Sequence, residues 1–249
     1  MAYAELRPPH APHGVLGKAK GLANAAGTPG RPPMTAALSP TMCNLYSVRA
    51  DQAAMREAFG AVVDRTGNLP PLPGIFPDQM APVVRNGPDG RELAMLRWGF
   101  PAPPNAPGNR PVTNIRNTAS SFWRAWMKPE HRVLVPVSSF CEYAPGKPAV
   151  PHWFALGEDR PLFAFAGLWR PWTGTRAKTE GEHELFAFLT TEPNAVVAPI
   201  HPKAMPVLLS TAEEYDTWLT APVQEALMLQ RPLPDGALMV VAQGTKYDG

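Results

Sequence analysis

A methionine directly before a cysteine, Met42-Cys43, is what initiation followed by methionine removal requires to leave cysteine as the first residue. Cys43 would then carry a thiol and an α-amino group on adjacent carbons. With reference values near ~7.7–8.0 for the amine and ~8.5 for the thiol, useful fractions of free amine and thiolate exist at neutral pH. Such a 1,2-aminothiol is built for aldehydes: the amine adds to the carbonyl to give a Schiff base, and the sulfur closes a five-membered thiazolidine ring. A free cysteine taken alone is more often a small buried hydrophobe. The only other cysteine is Cys141, so a disulfide framework is not expected and a tetrathiolate zinc site is excluded.

Chemistry of that kind needs a scaffold, and the composition allows one. The 249 residues are 45% hydrophobic and 18% charged, enough to bury a core as one large domain. No stretch approaches the ~18 consecutive apolar residues of a membrane helix, and a cytoplasmic protein is the expectation. Residues 1–41 are rich in Ala, Pro and Gly without periodicity, and read as a disordered or non-native extension ahead of a true start at Met42. They hold Arg7, Lys18, Lys20 and Arg31 against Glu5. Removing that +3 from the net +2 leaves about −1, so nucleic-acid contact would have to come from a local patch.

Residues 42–249 read as the folded domain. Asp51 is placed to cap a short helix that Gly60 ends, and Thr211 with Glu214 forms a capping-box pattern before Tyr215, Trp218 and Leu219. Pro222 suits the first turn of a further helix, and Phe122, Trp123 and Trp126 have helical spacing. Strands are expected over Leu93–Trp98, Arg132–Val137, His152–Leu156, Leu162–Trp169, Glu184–Thr190, Met205–Leu209 and Ala237–Ala242, with proline-rich loops over Pro70–Pro82 and Pro101–Pro111. Strands and helices do not alternate regularly, and no dinucleotide or phosphate-loop signature is present. The expected fold is α+β: a single domain around a curved, barrel-like antiparallel sheet with a few short helices.

Several separated motifs fall in a familiar order. Met42-Cys43 is followed by Asn114-Ile115-Arg116-Asn117-Thr118-Ala119, then by Val135-Pro136 with Phe140-Cys141-Glu142-Tyr143, then by His201-Pro202-Lys203-Ala204-Met205-Pro206. From Met42 to about Leu219 the chain resembles the SOS-response-associated peptidase (SRAP) family, whose members begin Met-Cys and crosslink to abasic sites. Asn44 and Leu45 stand where many relatives have Gly-Arg, Asn117 stands where an acid is usual, and Lys203-Ala204 replaces an arginine.

The resemblance implies a catalytic set of Cys43, Asn114, Glu142 and His201, with single-stranded DNA containing abasic sites as the partner and DNA damage repair as the setting. It also raises strand-lyase and self-processing peptidase activities. Asn114 offers an amide to orient the sugar or the amine, Glu142 a carboxylate that a strand setting would desolvate, and His201 a group that titrates near neutrality. Arg116, Arg110, Arg124 and Lys128 are the candidates for phosphates, and Trp98 and Tyr143 for stacking of exposed bases. No metal site and no cofactor is expected, since His152 and His183 lack ligand spacing, and a monomer is expected. Two other readings stand beside this one: a cysteine peptidase or amidohydrolase using Cys43, His201 and Asn114, and a noncatalytic single-strand-binding module.

Overall fold

The protein is described by a computed structural model that covers residues 43–102 and 110–248. The expectation for residues 1–41, Met42 and the middle of the Pro101–Pro111 loop lie outside the described residues. In chain order the elements are β1 (Tyr46–Val48), α1 (Gln52–Phe59), β2 (Val63–Asp64), β3 (Leu72–Ile75), β4 (Met80–Gly87), β5 (Gly90–Trp98), β6 (Asn114–Ile115) and α2 (Ser121–Arg124). There follow β7 (Arg132–Val137), β8 (Ser139–Ala144), β9 (Val150–Ala155), β10 (Phe163–Arg176), β11 (Thr179–Thr191), β12 (Met205–Pro206), β13 (Leu208–Leu209), α3 (Ala212–Thr220), α4 (Val223–Leu227) and β14 (Met239–Gln243).

Five strands close into a barrel in the order β5-β4-β7-β10-β11, and β11 returns to β5. An odd number of strands cannot alternate direction all the way round a closed ring. One pair must be parallel, and it is β11–β5, with Leu185 opposite Arg97 and Phe186 opposite Trp98. A second sheet, β14-β9-β8-β1-β3, lies beside it. The chain passes from barrel to sheet at Ser138, between β7 and β8, where the Ser138 N–H donates to Ser47 O at 2.8 Å and the Arg49 N–H donates to Ser138 Oγ at 2.9 Å. That corner brings β8 against β1, pairing Tyr46 with Phe140. This is the α+β, barrel-centred domain that the sequence patterning predicts.

Local chemistry sets the helix ends. Asp51 Oδ1 accepts from Ala54 N–H at 2.8 Å to start α1, and Gly60 at φ 64° ends it in the left-handed region. Thr211 Oγ1 accepts from Glu214 N–H at 3.2 Å to start α3. The far end of α3 is held by the buried Arg132 guanidinium, which donates to Trp218 O at 2.9 Å and Ala221 O at 2.7 Å. Trp218 in turn donates from Nε1 to Val133 O and Gly167 O, seating α3 on β7 and β10. A side chain at Gly167 would meet Val133 at 2.8 Å, so the close approach there requires glycine.

Three expectations are corrected. Pro70–Pro82 is not all loop: it contains β3 and the start of β4. Proline is tolerated in β3 because that strand is the edge of its sheet, with β1 on one side only. Leu162–Trp169 and Glu184–Thr190 are parts of a much longer hairpin, β10–β11, whose distal half alternates between exposed and half-buried residues. The helix expected around Phe122, Trp123 and Trp126 is a single turn that ends before Trp126, with Ser120 as its cap. Among the described residues no helix is long and apolar enough to cross a membrane.

Candidate active site

Cys43 enters just ahead of β1 and is 1% exposed, packed into the main core. Burial alone fits an inert cysteine. Its polar company does not. Asn114, at the start of β6, donates from Nδ2 to Cys43 O at 2.9 Å. It is carried there by pairing with Phe188 on β11. Glu142, on β8, is 2% exposed and close enough to couple electrostatically to the Cys43 thiol. His201 is 4% exposed, and its Nδ1 is 4.0 Å from Glu142 Oε2 and 2.7 Å from Ala204 O. A carbonyl only accepts, so Nδ1 carries a hydrogen and donates it to Ala204 O. The structure thus brings together the four residues expected to form the catalytic set.

Their electrostatics follow from burial. Desolvation pushes the Glu142 carboxyl well above its usual range, opposed in part by the hydrogen bond from Cys43. Desolvation, then the charge of Glu142, likewise pushes the Cys43 thiol well up. Cys141 points to the other face of β8, into a separate small cluster with Leu45 and Trp153, and burial there lifts its thiol to about 12. It packs as expected for a strand residue.

Several buried polar atoms around this point have no hydrogen-bond partner: Tyr46 Oη, Asn114 Oδ1, Glu142 Oε1, Thr190 Oγ1 and His201 Nε2. Each such atom costs about 1–3 kcal/mol in an apoprotein. Three of them, on Asn114, Glu142 and His201, belong to the residues gathered at Cys43 and leave hydrogen-bonding capacity for a polar group there. Tyr46 and Thr190 were not singled out from the sequence. Tyr46 reads as an ordinary strand aromatic, and Thr190, on the same face of β11 as Phe188, reads as an ordinary β-branched strand residue. Only their unpaired hydroxyls distinguish them.

Outside the four, the candidates separate. Arg110 lines a pocket of about 340 Å³ together with Asn44, Pro77, Pro111, Val112, Thr113 and Asn114, which opens beside the cysteine. A larger concavity of about 670 Å³ lies on the β10–β11 hairpin and shares none of these residues, so size does not identify the site. Arg116 is exposed two residues beyond Asn114, 3.5 Å from Glu192. Tyr143 is 37% exposed beside Glu142. Arg124 and Lys128 are exposed on and after α2, and among the described residues neither is joined to the four by a hydrogen bond or ion pair. Trp98 requires correction as a base-stacking face. It is fully buried, its ring stacked on Phe188 at 5.2 Å and on Phe186 at 6.5 Å, with Tyr46 edge-on at 5.2 Å and Nε1 donating to Thr113 O. Closing β11 onto β5 buries that ring inside the barrel.

Among the described residues no group of three or more His, Cys, Asp or Glu is placed to hold a metal ion. Comparison with known proteins gives the following. A family model described as SOS response associated peptidase (SRAP) matches residues 42–243. No curated protein matches the chain. A crystal structure of a protein from Bordetella bronchiseptica is similar at 25% identity and a TM-score of 0.65, covering 81% of this chain and 98% of that one. A Bacteroides thetaiotaomicron protein at 23% identity and a phage-related Bordetella bronchiseptica protein at 20% share the fold, both with TM-scores of 0.60 over 81% of this chain and 90% and 92% of theirs. With some four fifths of its length matched by one family model, the chain belongs to the SOS response associated peptidase family.

Proposed function

We propose that this protein captures abasic sites in single-stranded DNA as a covalent adduct on Cys43, acting as the N-terminal residue, and so protects them during the response to DNA damage. The observation that carries this reading is the set of unpartnered buried polar atoms on Asn114, Glu142 and His201 around the cysteine. The open-chain sugar at an abasic site presents an aldehyde. The Cys43 amine adds to its carbon, a proton passes from nitrogen to oxygen, and the carbinolamine loses water to give a Schiff base. Sulfur then attacks the carbon of the protonated Schiff base as the thiol proton leaves to Glu142, and the thiazolidine closes with one water lost overall.

Within this proposal Glu142, whose burial favours the protonated form, supplies the proton that lets the hydroxyl leave as water, and it takes up the thiol proton on closure. His201 Nε2, buried without a partner, serves as a further proton acceptor, and Asn114 holds the Cys43 main chain in place. Arg110 and Arg116 take phosphates and Tyr143 offers a stacking face. A single strand can be splayed into such a pocket, whereas a duplex hides the sugar.

The direct test is intact mass after mixing with abasic single-stranded DNA. A stable adduct supports the proposal, strand or peptide cleavage without one favours the cysteine-hydrolase reading, and noncovalent binding alone favours a binding module. Glu142→Gln and His201→Ala should each slow adduct formation about 10²-fold while DNA affinity changes little. The sign with pH follows from the raised carboxyl: the wild-type rate falls as pH climbs through the elevated Glu142 value, because the needed proton is lost. Glu142→Gln should lack that limb. Stopped-time gels across pH 5–9 check this, and a wild-type rate in either variant would make that residue structural.

A further inference from the structure

The segment after β14 lies beyond residues 42–243, the part of the chain matched to the family, and it is pinned at both ends. On the near side Gly244 N–H donates to Pro151 O at 2.9 Å, and Thr245 O accepts from Trp153 Nε1 at 3.0 Å. On the far side Asp248 is fully buried, its N–H donating to Pro73 O at 3.1 Å. Its carboxylate accepts from Ser139 Oγ at 2.6 Å and from Arg160 Nε at 2.8 and 2.9 Å. Between these anchors Lys246 and Tyr247 stay at the surface, Tyr247 47% exposed.

Those two side chains are grouped with a third. Tyr247 stands edge-on to the partly buried Phe76, ring centroids 6.2 Å apart, and lies against β3 at Gly74, where a Cβ would come within 2.7 Å of its ring. Lys246 Nζ is 5.8 Å from the Phe76 ring centroid and 5.3 Å from that of Tyr247. Among the described residues it forms no ion pair. Phe76 is bonded directly to Pro77, which lines the pocket of about 340 Å³ beside Cys43 together with Asn44 and Arg110. A strand whose sugar enters that pocket and leaves over Pro77 therefore meets these rings and the ammonium next. Flat apolar rings for a base, with a cation for the phosphate, are what single-strand binders use. The grouping also adds to the local positive patch that the near-neutral charge of residues 42–249 requires, because Asp78, the acid next to Pro77, is already held by Arg176 Nη2 at 2.6 Å.

We propose that Phe76, Lys246 and Tyr247 form a binding site for a nucleotide flanking the abasic one, its base stacked on the Tyr247 ring and its phosphate paired with Lys246. The proposal rests on the reading of Cys43 as the point where single-stranded abasic DNA is captured. Because Asp248 and Thr245 fix the backbone on either side, the two side chains are presented in advance and little ordering entropy opposes binding.

The test uses the chain beginning at Met42, with methionine removed, and two series of single strands carrying a tetrahydrofuran abasic analogue, which has no aldehyde. One series grows a nucleotide at a time from that site toward the 5′ end and the other toward the 3′ end, with Kd read by fluorescence anisotropy. In one series wild type should gain roughly 5- to 100-fold in affinity at the nucleotide that reaches the rings, the effect of stacking one base. Tyr247→Ala should lose that step, and Tyr247→Phe, which keeps the ring, should retain it. Lys246→Ala should lower the slope of log Kd against log salt by about 0.7, the share of one phosphate contact on a single strand. The absence of a step in both series overturns the proposal, as does a step of wild-type size in Tyr247→Ala. Equal weakening at every length would make Tyr247 structural, and a wild-type dimer in sedimentation that Tyr247→Ala abolishes would give the rings to a second copy; either result overturns it too. Adduct formation on a true abasic strand judges the proposed function separately: a step without an adduct keeps this site and removes covalent capture, and an adduct without a step does the reverse.

Discussion

Replacing Cys43 by alanine should abolish the stable adduct with abasic DNA, a loss of at least about 10³-fold in yield, because no other group can close the ring. The fold should survive. Although Cys43 is packed into the main core, losing one sulfur there costs on the order of 1 kcal/mol, against the roughly 5–15 kcal/mol of a typical domain. Cys43→Ser retains the amine and an oxygen of similar size. It should form a Schiff base that borohydride traps, with no adduct surviving denaturing conditions when borohydride is left out. Denaturing gels with and without reductant check both variants. A stable unreduced adduct with alanine would remove the thiol from the mechanism.

The second large effect concerns what precedes the cysteine. A peptide bond from Met42 turns the Cys43 nitrogen into an amide, whose lone pair is delocalised and not nucleophilic. The 249-residue form should therefore bind abasic DNA without forming the stable adduct, whereas a chain beginning at Met42 should lose its methionine and react. Expressing both, verifying each N-terminus by mass and comparing adduct yields checks this. Equal yields with residues 1–41 still attached would move the assignment to a plain cysteine nucleophile.

How far the sequence carried the account depends on the range of the interaction concerned. The helix starts at Asp51 and Thr211 and the stop at Gly60 are decided by groups within a few residues, and they are found where those residues place them. The strand Arg132–Val137, in which Val133, Val135 and Val137 alternate with other residues, has the same bounds in the structure. What could not be read is set by distant partners. The Ser138 corner and the parallel β11–β5 seam depend on barrel closure, and that seam is what buries Trp98. Leu93–Trp98 shows a strand but not that its last residue would be fully buried.

The candidate site divides in the same way. The residue types Cys43, Asn114, Glu142 and His201 could be picked out, since each brings a group with its own reactivity, and the fold gathers them. The hydroxyls of Tyr46 and Thr190 could not, because a buried tyrosine or threonine is ordinary until its oxygen is found without a partner. Lys128 and Arg124 carry the right charge, but nothing in their neighbouring sequence says which face of the molecule they occupy.

The central claim is that Cys43, as an N-terminal aminothiol, bonds an aldehyde through both nitrogen and sulfur. The measurement that bears on it most directly is tandem mass spectrometry of the nuclease-trimmed adduct, made with abasic single-stranded DNA and the chain beginning at Met42. The account predicts a total mass of protein plus DNA less one water, with the sugar remnant on a peptide that begins at Cys43 and has neither a free amine nor a free thiol. A remnant on a lysine, or on a Cys43 peptide whose amine remains open to acylation, would contradict it.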